Sequence, residues 1–176
     1  EMAARDSRYY LVKQFENPAN AASHKNSTAW EILEQMDQGL DAFVCGIGSG
    51  GTLTGVAEVL KKERPNVRIV GVEPWGSAVL SGREPGPHKL QGIGAGFIPP
   101  VLKRELVDEI IAVRDEDAIK TCRELARKEA LLLGISSGAA VYAALKLAEK
   151  MGANARILAI APDGADKYMS TELFAE

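Results

Sequence analysis

The chain has 176 residues, 46% of them hydrophobic, and 21 basic against 24 acidic side chains give a net charge of −3. That is enough for one domain with a substantial core. It offers no basic face for nucleic acid and no run near the ~20 apolar residues that would span a bilayer. Cys45 and Cys122 stand far apart, which points to free thiols in a reducing, cytoplasmic setting rather than a disulfide. His24 and His88 lack metal-ligand spacing, and the first ten residues, EMAARDSRYY, lack the apolar core of a secretory signal. Their not beginning with Met suggests a chain cut from something longer.

Residues 9–15 (YYLVKQF) predict a strand, broken by Asn17-Pro18-Ala19-Asn20. Trp30, Ile32, Leu33 and Met36 recur at helical spacing and predict a helix over 27–36. Residues 41–45 (DAFVC) form a short apolar run, followed by glycines and then by Leu53, Val56, Ala57, Val59 and Leu60 at helical spacing. Pro65-Asn66 ends that helix, and VRIVGVEP reads as a second buried strand. Residues 75–100 hold six glycines and four prolines, which predicts a long ordered loop with a functional role. VDEIIAV (107–113) is a third strand. Asp115 caps a helix running to about Ala130, with Leu125 and Ala126 on its buried side. GISSGAA (134–140) follows, a further helix starts near Ala139, and RILAIA (156–161) is the last strand. Alternating strands and helices make this α/β, a mostly parallel twisted sheet with helices on both faces.

Gly46, Gly48 and Gly51 satisfy the glycine pattern of a dinucleotide fingerprint, and Glu73 closes the second strand where an acid would meet a ribose. Such a loop binds anions because unpaired N–H groups and the helix dipole converge on it. A cap with tight strand–helix packing would use the same glycines. Ser49 and Thr52, however, stand among Gly48, Gly50 and Gly51. A phosphate monoester has three free oxygens to satisfy, and each charge-assisted bond contributes roughly 1.5–3 kcal/mol. The hydroxyls therefore favour a monoester over a buried diester. Ser136 and Ser137 either cap a helix or face a ligand at the point where open α/β sheets collect one.

QFENPAN (14–20), GIGSGGTLTG (46–55), GVEP (71–74), SGREPGPHKLQGIGAGFIP (81–99), GISSGAA (134–140) and KYMSTELF (167–174) occur in this order. Together they resemble the C-terminal part of the cysteine synthases, the O-acetylserine sulfhydrylases of the tryptophan-synthase-β-like family of pyridoxal-phosphate enzymes. The resemblance runs from about Tyr9 to Phe174. It implies that residues 1–176 are the large, cofactor-phosphate-binding domain of a fold-type-II enzyme whose N-terminal domain is missing. It also implies a homodimer with pyridoxal 5′-phosphate as cofactor, held at its phosphate by Gly48, Ser49, Gly50, Gly51 and Thr52. Ser136 would face the pyridine nitrogen. Its neutral hydroxyl would leave that nitrogen unprotonated and the cofactor a mild electron sink. Gln14 would lie near the substrate carboxylate, and Gly92, Ile93 and Gly94 would line an entrance shared with the C-terminal tail of serine acetyltransferase.

The implied reaction is β-replacement: O-acetylserine loses acetate to give α-aminoacrylate, and sulfide adds to form L-cysteine. In the family the Schiff-base lysine and the Ser/Thr-Gly-Asn substrate loop lie upstream of the segment matching YYLVKQF. No catalytic residue is thus expected in this chain, which alone should be inactive and should self-associate or need its other half. Gly164-Ala165 replaces the expected Ser-Gly near the ring, and Ala29-Trp30 a usual Gly-Pro. Three readings stand beside this one. They are a cystathionine β-synthase-like enzyme, a non-catalytic module docking the acetyltransferase tail, and an NAD-binding domain.

Overall fold

Four apolar runs become strands: β1 (Ala42–Gly46), β2 (Arg68–Pro74), β3 (Glu109–Val113) and β4 (Ile157–Ala159). The structure, a computed structural model, describes residues 2–174, so Glu1, Ala175 and Glu176 of the expected 1–176 domain lie outside the described residues. The strands form one sheet in the order β3-β2-β1-β4, with every pair parallel. The helices are α1 (Met2–Arg5), α2 (Ala19–Asn26), α3 (Thr28–Gln35), α4 (Gly51–Glu63), α5 (Asp115–Glu129) and α6 (Ile135–Met151).

Side chains alternate across each strand, as the pleat requires. Ala42 and Val44 of β1 join a core with Val70 and Val72 under α5 and α6. Phe43 and Cys45 point the other way, into a core with Ile69 under α3 and α4. Both faces of β1 are buried, which is why it reads as a continuous apolar run. The expected α/β sheet with helices on both faces is borne out.

The order of strands positions the site. β1 hands the chain through α4 to β2 on one side, while β4 arrives from α6 on the other. The loops beyond β1 and β4 therefore part at their carboxyl ends, where open α/β sheets form a crevice. Each helix runs back against its strands, so the N-termini of α4 and α6 approach that crevice from opposite faces of the sheet.

Several local expectations are corrected. Residues 9–15 form no strand. Tyr10 is 85% exposed and Leu11 64%, and the run turns at Lys13, whose φ is +53°. The carbonyl of Lys13 accepts from the N–H groups of Glu16 and Asn17, so its polar groups close a turn rather than a ladder. The Asn17-Pro18 break starts α2, the Asn17 side chain accepting from the Ala19 N–H at 3.0 Å. The buried stripe of α5 is Ala118, Ile119, Thr121 and Cys122. Asp115 does not cap it, because its carboxylate accepts instead from the Lys89 N–H at 2.9 Å. α6 begins at Ile135, four residues earlier than Ala139.

The long loop is ordered as expected. Trp75 lies between Arg83 and Arg114, whose guanidinium carbons are 3.7 and 4.7 Å from the ring centroid. Glu73, 2% exposed, is fully engaged within the same loop. Its carboxylate accepts from the Leu80 N–H and the Ser81 hydroxyl.

Candidate active site

A cleft of about 250 Å³ opens at the carboxyl ends of β1 and β4. Gly48, Ser49, Gly50, Gly51 and Thr52 form one wall, Gln91, Gly92 and Ile93 a second, and Ser136, Asp163 and Tyr168 a third. All six residues expected to hold the cofactor thus meet in one place.

The glycine wall is built by close backbone approach. Gly50 precedes α4 with φ +82°, a left-handed conformation that glycine adopts without steric cost. A Cβ on Gly48 would sit 2.4 Å from the Gly92 carbonyl oxygen. The two loops are stitched again where the Gly94 N–H donates to the Ile47 carbonyl at 3.0 Å.

Two side chains that the sequence reading did not single out brace this wall from α2. Asn20 donates through Nδ2 to the Ser49 hydroxyl at 2.9 Å and to the Gln14 carbonyl at 2.7 Å. His24 bridges two threonines, with Nε2 3.1 Å from Thr52 Oγ1 and Nδ1 3.0 Å from Thr28 Oγ1. Burial lowers the His24 pKa below its ordinary 6.5, so the ring is neutral at pH 7, one nitrogen donating and the other accepting. Asn20 sits inside the quoted QFENPAN motif, but nothing in its spacing from Ser49 reveals the contact. His24 and Thr52 are separated by 28 residues and meet only because α2 packs on α4.

Gln14 lies in a neighbouring cleft of about 350 Å³, which shares Gly48, Ser49, Gly92 and Ile93 with the first and adds Phe15 and Ala95. The Phe15 ring meets Phe97 edge-on at 5.2 Å, and its carbonyl accepts from the Val101 N–H at 3.1 Å. Both contacts hold the Gln14 segment against the loop. Gly94 lines neither cleft and lies behind the wall, against Pro74 and His88.

On the third wall Ser136 occupies the first turn of α6 and is 4% exposed. Neither Ser136 nor Ser137 is the cap: Gly134 is, without a side-chain bond. The Ser137 hydroxyl lies 3.4 Å from the Asp163 carbonyl, which also accepts from the Gly134 N–H at 3.0 Å. Cys45, at the floor, is a buried thiol pushed up to about 12 by desolvation. No lysine or arginine is among the described residues lining this cleft. An anion there meets N–H groups, hydroxyls and two helix dipoles.

Residues 1–163 match the family model described as "Pyridoxal-phosphate dependent enzyme". A cysteine synthase of Staphylococcus aureus is 49% identical over 168 residues, covering 95% of this chain and 54% of its own. The crystal structure of a cysteine synthase from Entamoeba histolytica superposes with a TM-score of 0.94 at 44% identity, over 98% of this chain and 51% of that one. An O-acetylserine dependent cystathionine β-synthase from Helicobacter pylori superposes at 0.89 with 46% identity, over 94% and 54%. The chain spans about half the length of the relatives it matches. Among the described residues no helix is long and apolar enough to cross a membrane.

Proposed function

The chain belongs to the pyridoxal-phosphate-dependent enzymes, and from that premise we propose that it forms the cofactor-holding half of a cysteine synthase. The whole protein would make L-cysteine from O-acetylserine and sulfide by β-replacement. The observation that carries this is the convergence of residues 48–52 and Ser136 on one cleft, at the N-termini of α4 and α6.

The residues present fit the cofactor. The loop around Gly48 is so close to Gly92 that a Cβ has no room, and residues 48–52 line the cleft at the start of α4, where a helix leaves backbone N–H groups unpaired. Ser49 and Thr52 add hydroxyls whose orientations Asn20 and His24 hold. These groups would take the phosphate. The α6 end would take the ring, with Ser136 positioned to contact its nitrogen. When bound, the cofactor withdraws electrons from the Cα of an amino acid. Gln14, Gly92 and Ile93 would hold and orient that amino acid in the adjoining cleft and exclude water from it. A serine acetyltransferase tail would compete for the same place.

The proton carrier and covalent anchor are assigned elsewhere. None of the described lysines lines the cleft. Lys13 pairs with Glu16, Lys89 with Glu172 and Lys103 with Glu58. On this reading residues 1–176 alone bind the cofactor reversibly and do not turn over. Exposed Leu131, Leu132 and Met169 would meet the other half or a second copy in a homodimer.

The test is a titration with pyridoxal 5′-phosphate and with phosphate-free pyridoxal, then borohydride reduction and peptide mapping. Preference for the phosphate ester, weakened about tenfold by Thr52→Val, with no site-specific lysine adduct, supports the reading. Equal affinity for pyridoxal, or NADH binding that competes, sinks it. The Helicobacter pylori structure favours one second reading, a cystathionine β-synthase-like enzyme. Sulfide against homocysteine as nucleophile, assayed with the whole protein, separates the two.

A further inference from the structure

A cleft beside α5 has no task in the reading above. It measures about 580 Å³, against about 250 Å³ for the cofactor cleft, and shares no lining residue with it. One wall is the face of α5 that carries Lys120, Arg123 and Arg127, at i, i+3 and i+7 and so on one side of the helix. The other wall holds Lys89 and Glu172. The walls meet at Arg123, whose guanidinium donates to the Leu173 carbonyl at 2.9 Å and to the Glu172 carbonyl at 2.5 Å. They are tied again by Lys89. Its Nζ reaches Glu172 Oε2 at 2.6 Å, and its N–H donates to Asp115 at the start of α5 at 2.9 Å.

Four cationic and four acidic side chains line this cleft, so its charges balance, but they are unevenly used. Lys120 has Glu116 four residues before it and Glu124 four after, the spacing at which helical ion pairs form. It forms neither pair. Glu116 lies 3.9 Å from Arg114 instead, and Glu124 3.5 Å from Lys128, loose surface pairs that contribute little. Among the described residues Lys120 and Arg127 make no hydrogen bond or ion pair. Two cations and two weakly held carboxylates are thus left along one wall. A bare anion or a bare cation meets as much repulsion as attraction in a neutral cleft. A small molecule with one charge of each sign does not. Ile119, the only apolar side chain among the described lining residues, is 9% exposed, so a large apolar substituent finds nothing to pack on.

We propose that this cleft binds a free α-amino acid with a short or polar side chain, as the zwitterion. Lys120 and Arg127 take its carboxylate and Glu124 its ammonium. The Cα atoms of Lys120 and Arg127 are about 10 Å apart along the helix axis, a gap that two long side chains close over the turn between them. Glu124 stands on that turn. The two charges of an α-amino acid sit on neighbouring atoms, and here cations and carboxylate are side by side on one helix face.

The experiment titrates L-serine into the 176-residue chain without cofactor, by isothermal titration calorimetry and by amide chemical shifts of the ¹⁵N-labelled chain. Saturable binding with a Kd of about 1 mM or tighter is expected, with shifts at residues 120–127 and at Glu172. Lys120→Gln combined with Arg127→Gln should weaken it about tenfold, and Glu124→Gln by about the same factor. L-Lactate, which lacks the ammonium, and ethanolamine, which lacks the carboxylate, should each bind about tenfold more weakly than L-serine. Lys120, Glu124 and Arg127 are exposed, so these variants keep the fold. Absence of binding, shifts confined to residues 48–52 and 91–93, an affinity unchanged in the variants, or equal binding of L-lactate overturns the proposal. None of these results bears on the cofactor assignment, which concerns the other cleft and is tested with another ligand.

Discussion

The two ends of the cleft solve opposite problems. At the α4 end, five residues in a row supply backbone N–H groups and two hydroxyls, and the bracing comes from uncharged side chains, Asn20 and His24. At the α6 end, a carboxylate and a phenol stand beside a serine. One end attracts an anion without using a cation, and the other presents an acceptor. A ligand with a phosphate at one extremity and a basic ring nitrogen at the other can lie only one way round. The asymmetry also concerns rigidity. The glycine wall is set by backbone against backbone, while the α6 wall is set by side chains that can yield.

The largest effect should therefore come from crowding the glycine wall. In Gly48→Ala the new methyl meets the Gly92 carbonyl oxygen at 2.4 Å, and neither loop can retreat without breaking the Gly94–Ile47 bond. A loss of about 2–4 kcal/mol in urea unfolding is expected, with cofactor binding abolished. A variant that binds normally would show that the two loops are not locked.

Gly134→Ala probes the other wall and should cost less. Its methyl would meet Asp163 Oδ1 at 2.2 Å and Tyr168 Cε2 at 2.6 Å, both ends of side chains that can rotate away. About 1–2 kcal/mol of stability should be lost, and phosphate affinity should fall far less than in Gly48→Ala. Equal losses in the two variants would erase the contrast between backbone-set and side-chain-set walls.

Asn20→Ala comes third. It removes two hydrogen bonds, to Ser49 and to the Gln14 carbonyl, each worth about 1 kcal/mol. Ser49 loses its fixed orientation and Gln14 its tether, so cofactor affinity should drop by about tenfold and substrate protection of the cleft should weaken with it. Loss of cofactor affinity with unchanged behaviour at the Gln14 side would show that the two clefts are not coupled through Asn20.

How much of this was legible in sequence follows from which contacts are local. The unit β1–loop–α4–β2 was, because hydrophobic period and glycine spacing lie within one short stretch, and so was the order of the long loop. The GISSGAA segment was located, with its serines left open between cap and ligand contact, but its helix start was placed too late. Its serines look like caps, yet Gly138 packs against the Ala118 carbonyl and Cys122 Sγ of α5, which draws the helix start back to Ile135. The apolar run 9–15 misled because period alone says nothing about whether a neighbouring strand exists to pair with. The bracing by Asn20 and His24, and the Asp163–Tyr168 pair beside Ser136, depend on packing between distant segments, which no spacing rule reports. Asp163 gives no signal in sequence, because its two apolar neighbours, Ala161 and Pro162, reveal nothing of the cleft it lines.

The smallest effect belongs to His24, and it tests whether the α4 end is braced by a neutral ring. Burial holds the imidazolium back, so the folded pKa lies below the unfolded value of 6.5. The unfolded chain then binds more protons just under pH 6.5, and stability from this group is fully present above that value and lost as pH falls toward the folded pKa. Much of the ring is near solvent, which screens the effect. Melting temperatures of the wild type and His24→Gln, taken from pH 8 to pH 5, should differ most at the alkaline end. The wild-type advantage should shrink by about a degree or two below pH 6.5. Cofactor affinity should follow the same profile, because protonation makes both ring nitrogens donors, removes the lone pair that accepts from one of the two threonines and so loosens the ring that orients Thr52. A difference constant across that range would mean that His24 supports the wall by shape alone, and that the anion end of the cleft owes its pH tolerance to the backbone.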